Sequence, residues 1–97
     1  ECFVNPIIVG TGGVSWAFSA TAYPAAVMSV YPGSTTVDLD TITGVPAEIL
    51  GVFGETAGVW RMWIPSWTPA ENTLHELVPG TSYIVQISGE CTWVIAE

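Results

Sequence analysis

The sequence predicts a mainly β chain: a small antiparallel sandwich or two-sheet domain with one or two short helical turns. Three observations carry that expectation. Apolar and polar side chains alternate with a period of two over short stretches, as where Val14, Trp16 and Phe18 interleave with Ser15, Ala17 and Ser19. Turn signals recur at short intervals, among them Pro32-Gly33 and Pro79-Gly80. Val and Thr, which suit half-buried sheet faces, are abundant throughout. The chain's 97 residues supply one domain with one modest core.

The elements follow in order. Phe3-Val4-Asn5-Pro6-Ile7-Ile8-Val9 is an apolar, uncharged strand over residues 1–9, ahead of a Gly-rich joint at Gly10 to Gly13. Residues 10–97 then form a single β-rich domain. Val14 to Phe18 is its first strand, and Tyr31-Pro32-Gly33-Ser34 has Pro and Gly at the central positions of a type II turn. Thr35 to Thr43 is a strand with Val37 and Leu39 on one face, Asp38 and Asp40 on the other. Gly44 to Gly54 reads as a short helix, since Pro46 suits a first turn and Ile49, Leu50 and Phe53 share a helical face. Val59 to Ile64 is bulky on both faces, which predicts a strand covered on both sides. Thr68-Pro69-Ala70-Glu71 is a capping box that opens one or two helical turns through Leu74 and Leu77. Val78-Pro79-Gly80-Thr81 repeats the type II turn. Tyr83 to Ile87 and Thr92 to Ile95 close the chain as strands.

The two halves echo one another. Gly13-Val14 matches Gly58-Val59, Pro24-Ala25 matches Pro69-Ala70, and Pro32-Gly33-Ser34 matches Pro79-Gly80-Thr81. This spacing admits an internal duplication.

Composition excludes whole classes of function. Hydrophobic residues make up 49% and charged residues 10%, with net charge −8, one Arg and no Lys. Such a surface cannot bind the phosphates of nucleic acid or anionic lipid. Five Trp, three Tyr and three Phe exclude a disordered chain. Cys2 to Val37 holds no charged side chain, yet Pro6, Gly10, Gly12, Gly13, Pro24, Pro32 and Gly33 break it too often for a membrane-spanning helix. So few charges on so apolar a chain imply either an unusually complete core or apolar surface covered by another chain. The second option is favoured.

The setting is read as secreted and extracellular, at the cell surface. The chain starts at Glu1 without Met, as after removal of a leader. Cys2 and Cys91, the only cysteines, have neither metal-site nor redox spacing. A bridge between them would close nearly the whole chain, worth ~4.5 kcal/mol on a loop-entropy estimate. Two separate buried thiols, or a bridge to a neighbouring subunit, are the alternatives.

Val59-Trp60-Arg61-Met62-Trp63, the run from Asn72 through Leu74, Leu77, Pro79-Gly80 and Tyr83 to Val85, and Cys91-Thr92-Trp93 resemble a small module of bacterial secreted and cell-surface proteins. That module pairs a Trp-rich strand with a Leu-x-x-Leu-x-Pro-Gly-x-x-Tyr-x-Val strand, and the likeness covers roughly residues 46–95. It implies an extracellular, non-enzymatic role. Residues 1–45 carry no such likeness.

Reaction chemistry finds little to build on. His75, the sole histidine, stands four residues after Glu71 and reads as one half of a surface ion pair. Asp38 and Asp40 share a strand face as a glycosidase or calcium pair would, but a solvated face is the simpler expectation. No Gly-x-Ser-x-Gly elbow frames any serine, and no Lys follows the Gly-rich run at 10–13. No enzyme, metal or other cofactor is expected.

The chain is therefore read as a structural subunit of an extracellular filament, pilus-like fibre or surface coat. Copies of itself are the partner, held by β contacts, with Phe3, Val4, Ile7, Ile8 and Val9 as buried anchors that complete a neighbour's sheet; the alternative for this run is the first strand of its own domain, held by a Cys2–Cys91 bridge. The second reading is a carbohydrate-binding or adhesive module, with Trp63 and Trp67 as a platform for cell-surface glycans. A viral capsid decoration protein is the third. Deleting residues 1–9 separates the first two, since assembly would fail while glycan binding survived.

Overall fold

The computed structural model describes residues 13–96, and every regular element among them is a strand. In chain order these are β1 (Gly13–Phe18), β2 (Ala25–Val30), β3 (Val37–Asp38), β4 (Ile49–Thr56), β5 (Val59–Trp63), β6 (Glu76–Leu77), β7 (Ser82–Ile87) and β8 (Cys91–Ala96). All ladders are antiparallel. They form a four-stranded sheet in the order β2-β7-β4-β5 and two short pairs, β1-β8 and β3-β6. The mainly β expectation holds, with three hydrogen-bonded groups rather than two.

One core joins the three groups. Trp16 and Phe18 of β1, Trp93 and Ile95 of β8, and Val37 and Leu77 of β3 and β6 meet Ile49, Val52, Trp63, Val85 and Ile87 of the larger sheet. Alternation made β1, β7 and β8 legible, and their buried residues are those the period of two selects. Trp93 is fully buried between two stacked rings, Trp16 at 6.1 Å and Trp63 at 5.8 Å, which ties β8 to β5. Its indole Nε1 has no hydrogen-bond partner among the described residues. Gly54 leaves room for another core ring, because a Cβ there would stand 2.8 Å from two ring carbons of Tyr83.

Several local expectations are corrected. The helix expected over Gly44 to Gly54 is a turn at Ala47-Glu48 followed by β4. A bulge between Ile49 and Gly51 inserts Leu50 as an extra residue, which breaks the alternation and produces a helix-like spacing. The capping box at Thr68 forms, since the Thr68 N–H donates to Glu71 Oε1 at 2.9 Å, but only a closed turn follows it. Thr35 to Thr43 keeps its predicted faces yet shortens to β3. Asp38 Oδ1 accepts the Asp40 N–H at 2.8 Å and turns the chain there. Val59 to Ile64 is no covered strand: β5 is an edge, and Trp63 alone of its residues is buried. The two Pro-Gly sites also part company. Gly80 has φ +78° and Thr81 N–H donates to Val78 O, as a type II turn requires, whereas Gly33 is not among the positive-φ residues.

The pairing pattern nearly repeats between the halves. Advancing each strand by four places turns β1·β8 into β5·β4, and β2·β7 into β6·β3. The exception is β4·β7, whose counterpart would join β8 to β3. No ladder does so among the described residues, and an open cavity of about 230 Å³ lies there, bounded by Val37, Asp38, Ile42 and Ala96.

Candidate functional site

The residues proposed for chemistry do not converge. His75 Nδ1 lies 2.9 Å from Asp40 Oδ1, with both side chains open to solvent. Its partner is thus across the β3-β6 pair, and the expected Glu71 contact is replaced because no helix sets an i,i+4 spacing there. Asp38 spends one oxygen on the Asp40 backbone. Among the described residues, no three His, Cys, Asp or Glu side chains gather as a metal site would need. An open cavity of about 380 Å³ brings Arg61 near His75, Glu76 and Tyr83.

Trp63 and Trp67 do border one cleft, together with Leu39, Pro65 and Asn72. Its volume is about 110 Å³, against the roughly 300–1,000 Å³ usual for small-molecule sites. Trp63 is only 5% exposed and stacks on Trp93, so its ring faces belong to the core. Trp67 is 44% exposed. The two do not form one open aromatic plane.

Cys91, half-buried at the start of β8, has no disulfide partner among the described residues. Burial and the nearby Glu48 carboxylate push its thiol above the ordinary range. Cys2, and with it Phe3, Val4, Ile7, Ile8 and Val9, lies outside the described residues.

The chemistry-poor surface has a different feature, which the alternation rule passes over. Residues directly opposite in a sheet share a face, so the registers Met28↔Ile84, Ile84↔Phe53 and Phe53↔Met62 set four apolar side chains in one row. The row crosses the whole four-stranded sheet on the face turned away from the core. Met28 is 68% exposed, and Val30 of β2, Leu50 of β4 and Trp60 of β5 are exposed as well.

The edges of this sheet differ. At β5, Met62 N–H donates to Thr73 Oγ1, and Met62 O accepts from the N–H groups of Thr73 and Leu74. The Asn72 side chain continues the seal: its Oδ1 accepts the Ile64 N–H at 2.9 Å, and its Nδ2 donates to Ile64 O. Asn72 is the one buried polar side chain among the described residues, and its amide serves as a substitute strand. At β2, Tyr31 N–H donates to Thr81 O in register with the β2·β7 ladder. That bond fixes the parity. Ala25, Val27 and Ser29 bond β7, while Ala26, Met28 and Val30 turn their N–H and C=O groups outward. No described residue bonds them.

No family model, curated protein or solved structure matches this chain.

Proposed function

We propose that the chain is a structural subunit of an extracellular assembly, a filament or surface coat built from copies of itself through β contacts. The observation that carries this reading is the sheet face just described, an apolar row that no described residue covers, ending at a strand edge that no described residue bonds. Uncharged composition adds weight, since Cys2 to Val37 has no ionised side chain to oppose burial against another copy. The residue-level likeness to bacterial surface modules agrees with an extracellular, non-catalytic role. Growth beyond a closed pair needs two different contacts. In this reading Phe3 to Val9 supplies the second, as a strand given to a neighbour.

Light scattering and negative-stain microscopy of the full chain test the reading. Regular polymers, or discrete oligomers, are the expected outcome. A 10.3 kDa monomer persisting at high concentration would overturn it.

A further inference from the structure

We infer that the open edge of β2 pairs with β2 of a second copy of this chain, antiparallel, about a two-fold axis at Met28. The inference rests on the assembly reading above and names the surface and the partner. The outward-facing backbone groups belong to Ala26, Met28 and Val30. An antiparallel pair centred on Met28 sets Met28 opposite Met28 of the second copy, and Ala26 opposite Val30 of the second copy. Each such pair exchanges two N–H···O bonds, so about six new bonds form. Small Ala26 facing larger Val30 keeps the contact self-complementary, as a two-fold interface demands.

Charge selects the partner. Each copy carries −8, so two copies repel wherever their carboxylates meet. β2 lies inside the uncharged run from Cys2 to Val37, and its outer-face neighbours on β7 are Ser82, Ile84 and Gln86. This is surface on which two such chains approach without opposed charge. Edge strands that stay single are usually guarded by Lys, Pro or a covering loop. β2 itself holds neither Lys nor Pro, and no loop of the described residues closes its edge, while the β5 edge of the same sheet is closed by Asn72, Thr73 and Leu74. Pairing also brings the two outer faces edge to edge, so the row from Met62 through Phe53 and Ile84 to Met28 continues across eight strands.

The test uses full-length Met28→Lys and Met28→Glu, singly and mixed, with mass read by light scattering and fold by circular dichroism. The side chain is 68% exposed on the face turned away from the core, so both variants keep the native spectrum. Each alone places like charges across the axis and halves the mass of the basic unit. An equimolar mixture places Lys against Glu and restores the doubled mass. Met28→Cys with both native cysteines changed to Ser gives a disulfide dimer on oxidation, which an extended foreign peptide or residues 3–9 seated on this edge would not give. Unaltered assembly in Met28→Lys, no recovery on mixing, or no cross-link overturns the inference while leaving self-assembly standing. A monomeric native chain overturns both.

Discussion

The two edges of the four-stranded sheet meet water in opposite ways. At β5 the chain returns after its turn at Pro69-Ala70 and spends Asn72, Thr73 and Leu74 on the backbone of Met62 and Ile64. At β2 nothing among the described residues does the same for Ala26, Met28 and Val30. An unpaired strand edge is a template for another strand. One side of the sheet is therefore closed from within, and the other is bonded by no described residue. The bare edge also borders the most exposed side chain of the apolar row, Met28, so backbone and side-chain incentives to associate coincide there.

Breaking the closed edge produces the largest expected effect. Asn72→Leu keeps similar volume at a buried position, 4% exposed, but removes both amide bonds: the Ile64 N–H loses its partner, and Ile64 O keeps only the Trp67 N–H. Loss of both bonds costs about 2–3 kcal/mol, which in a domain of this size lowers Tm by roughly 10–20 °C. Calorimetry reads the shift, and mass by light scattering rises as a second edge opens. An unchanged Tm would mean that the amide does not seal β5.

The second effect tests what anchors β2, whose outer groups bond no described residue. Its inner face is tied to β1 by Trp16 Nε1, which donates to Ser29 Oγ at 2.9 Å. Ser29→Ala strands that indole N–H in the core beside the already unpartnered Nε1 of Trp93. The cost is about 1–2 kcal/mol in urea unfolding. Assembly is unaffected, because the Ser29 backbone bonds β7 and its side chain faces inward. A change in oligomer mass without loss of stability would reverse the inside and outside assigned to β2.

These elements also explain what the sequence could reveal. β1, β7 and β8 were readable because each presents one wet and one dry face, so Trp16 and Phe18, or Tyr83, Val85 and Ile87, stand out by alternation. β2 hid because its outer residues, Ala26, Met28 and Val30, are as apolar as its inner ones, leaving no period to find. The property that concealed the strand is also the one from which we infer a contact surface. β4 resembled a helix because the bulge at Leu50 shifts its register. The role of Asn72 depends on a backbone eight residues away and has no local signature. For the Trp63 and Trp67 platform, sequence supplied the proximity but not the burial, since the stack with Trp93 is set by strands distant in the chain.

The smallest expected effect separates the two Pro-Gly sites and extends the contrast to the turns that frame β2 and β7. Gly80 holds φ +78° with nothing within 4 Å of a built Cβ, so Gly80→Ala meets backbone strain alone. A left-handed conformation costs an L-residue about 1 kcal/mol. Gly33 is not among the positive-φ positions, so Gly33→Ala carries no left-handed penalty. Both substitutions stand near Tyr31, whose carbonyl accepts the Gly80 N–H at 3.2 Å and whose N–H donates to Thr81 O. Gly80→Ala therefore loosens the ladder where β2 meets β7, and amide exchange at Tyr31 speeds up several-fold while that at Val27 does not. Equal penalties at the two glycines would contradict the turn assignment and require a left-handed residue at both. With a penalty confined to Gly80, the two Pro-Gly sites, alike in sequence, differ because only Val78 to Thr81 must reverse the chain within four residues.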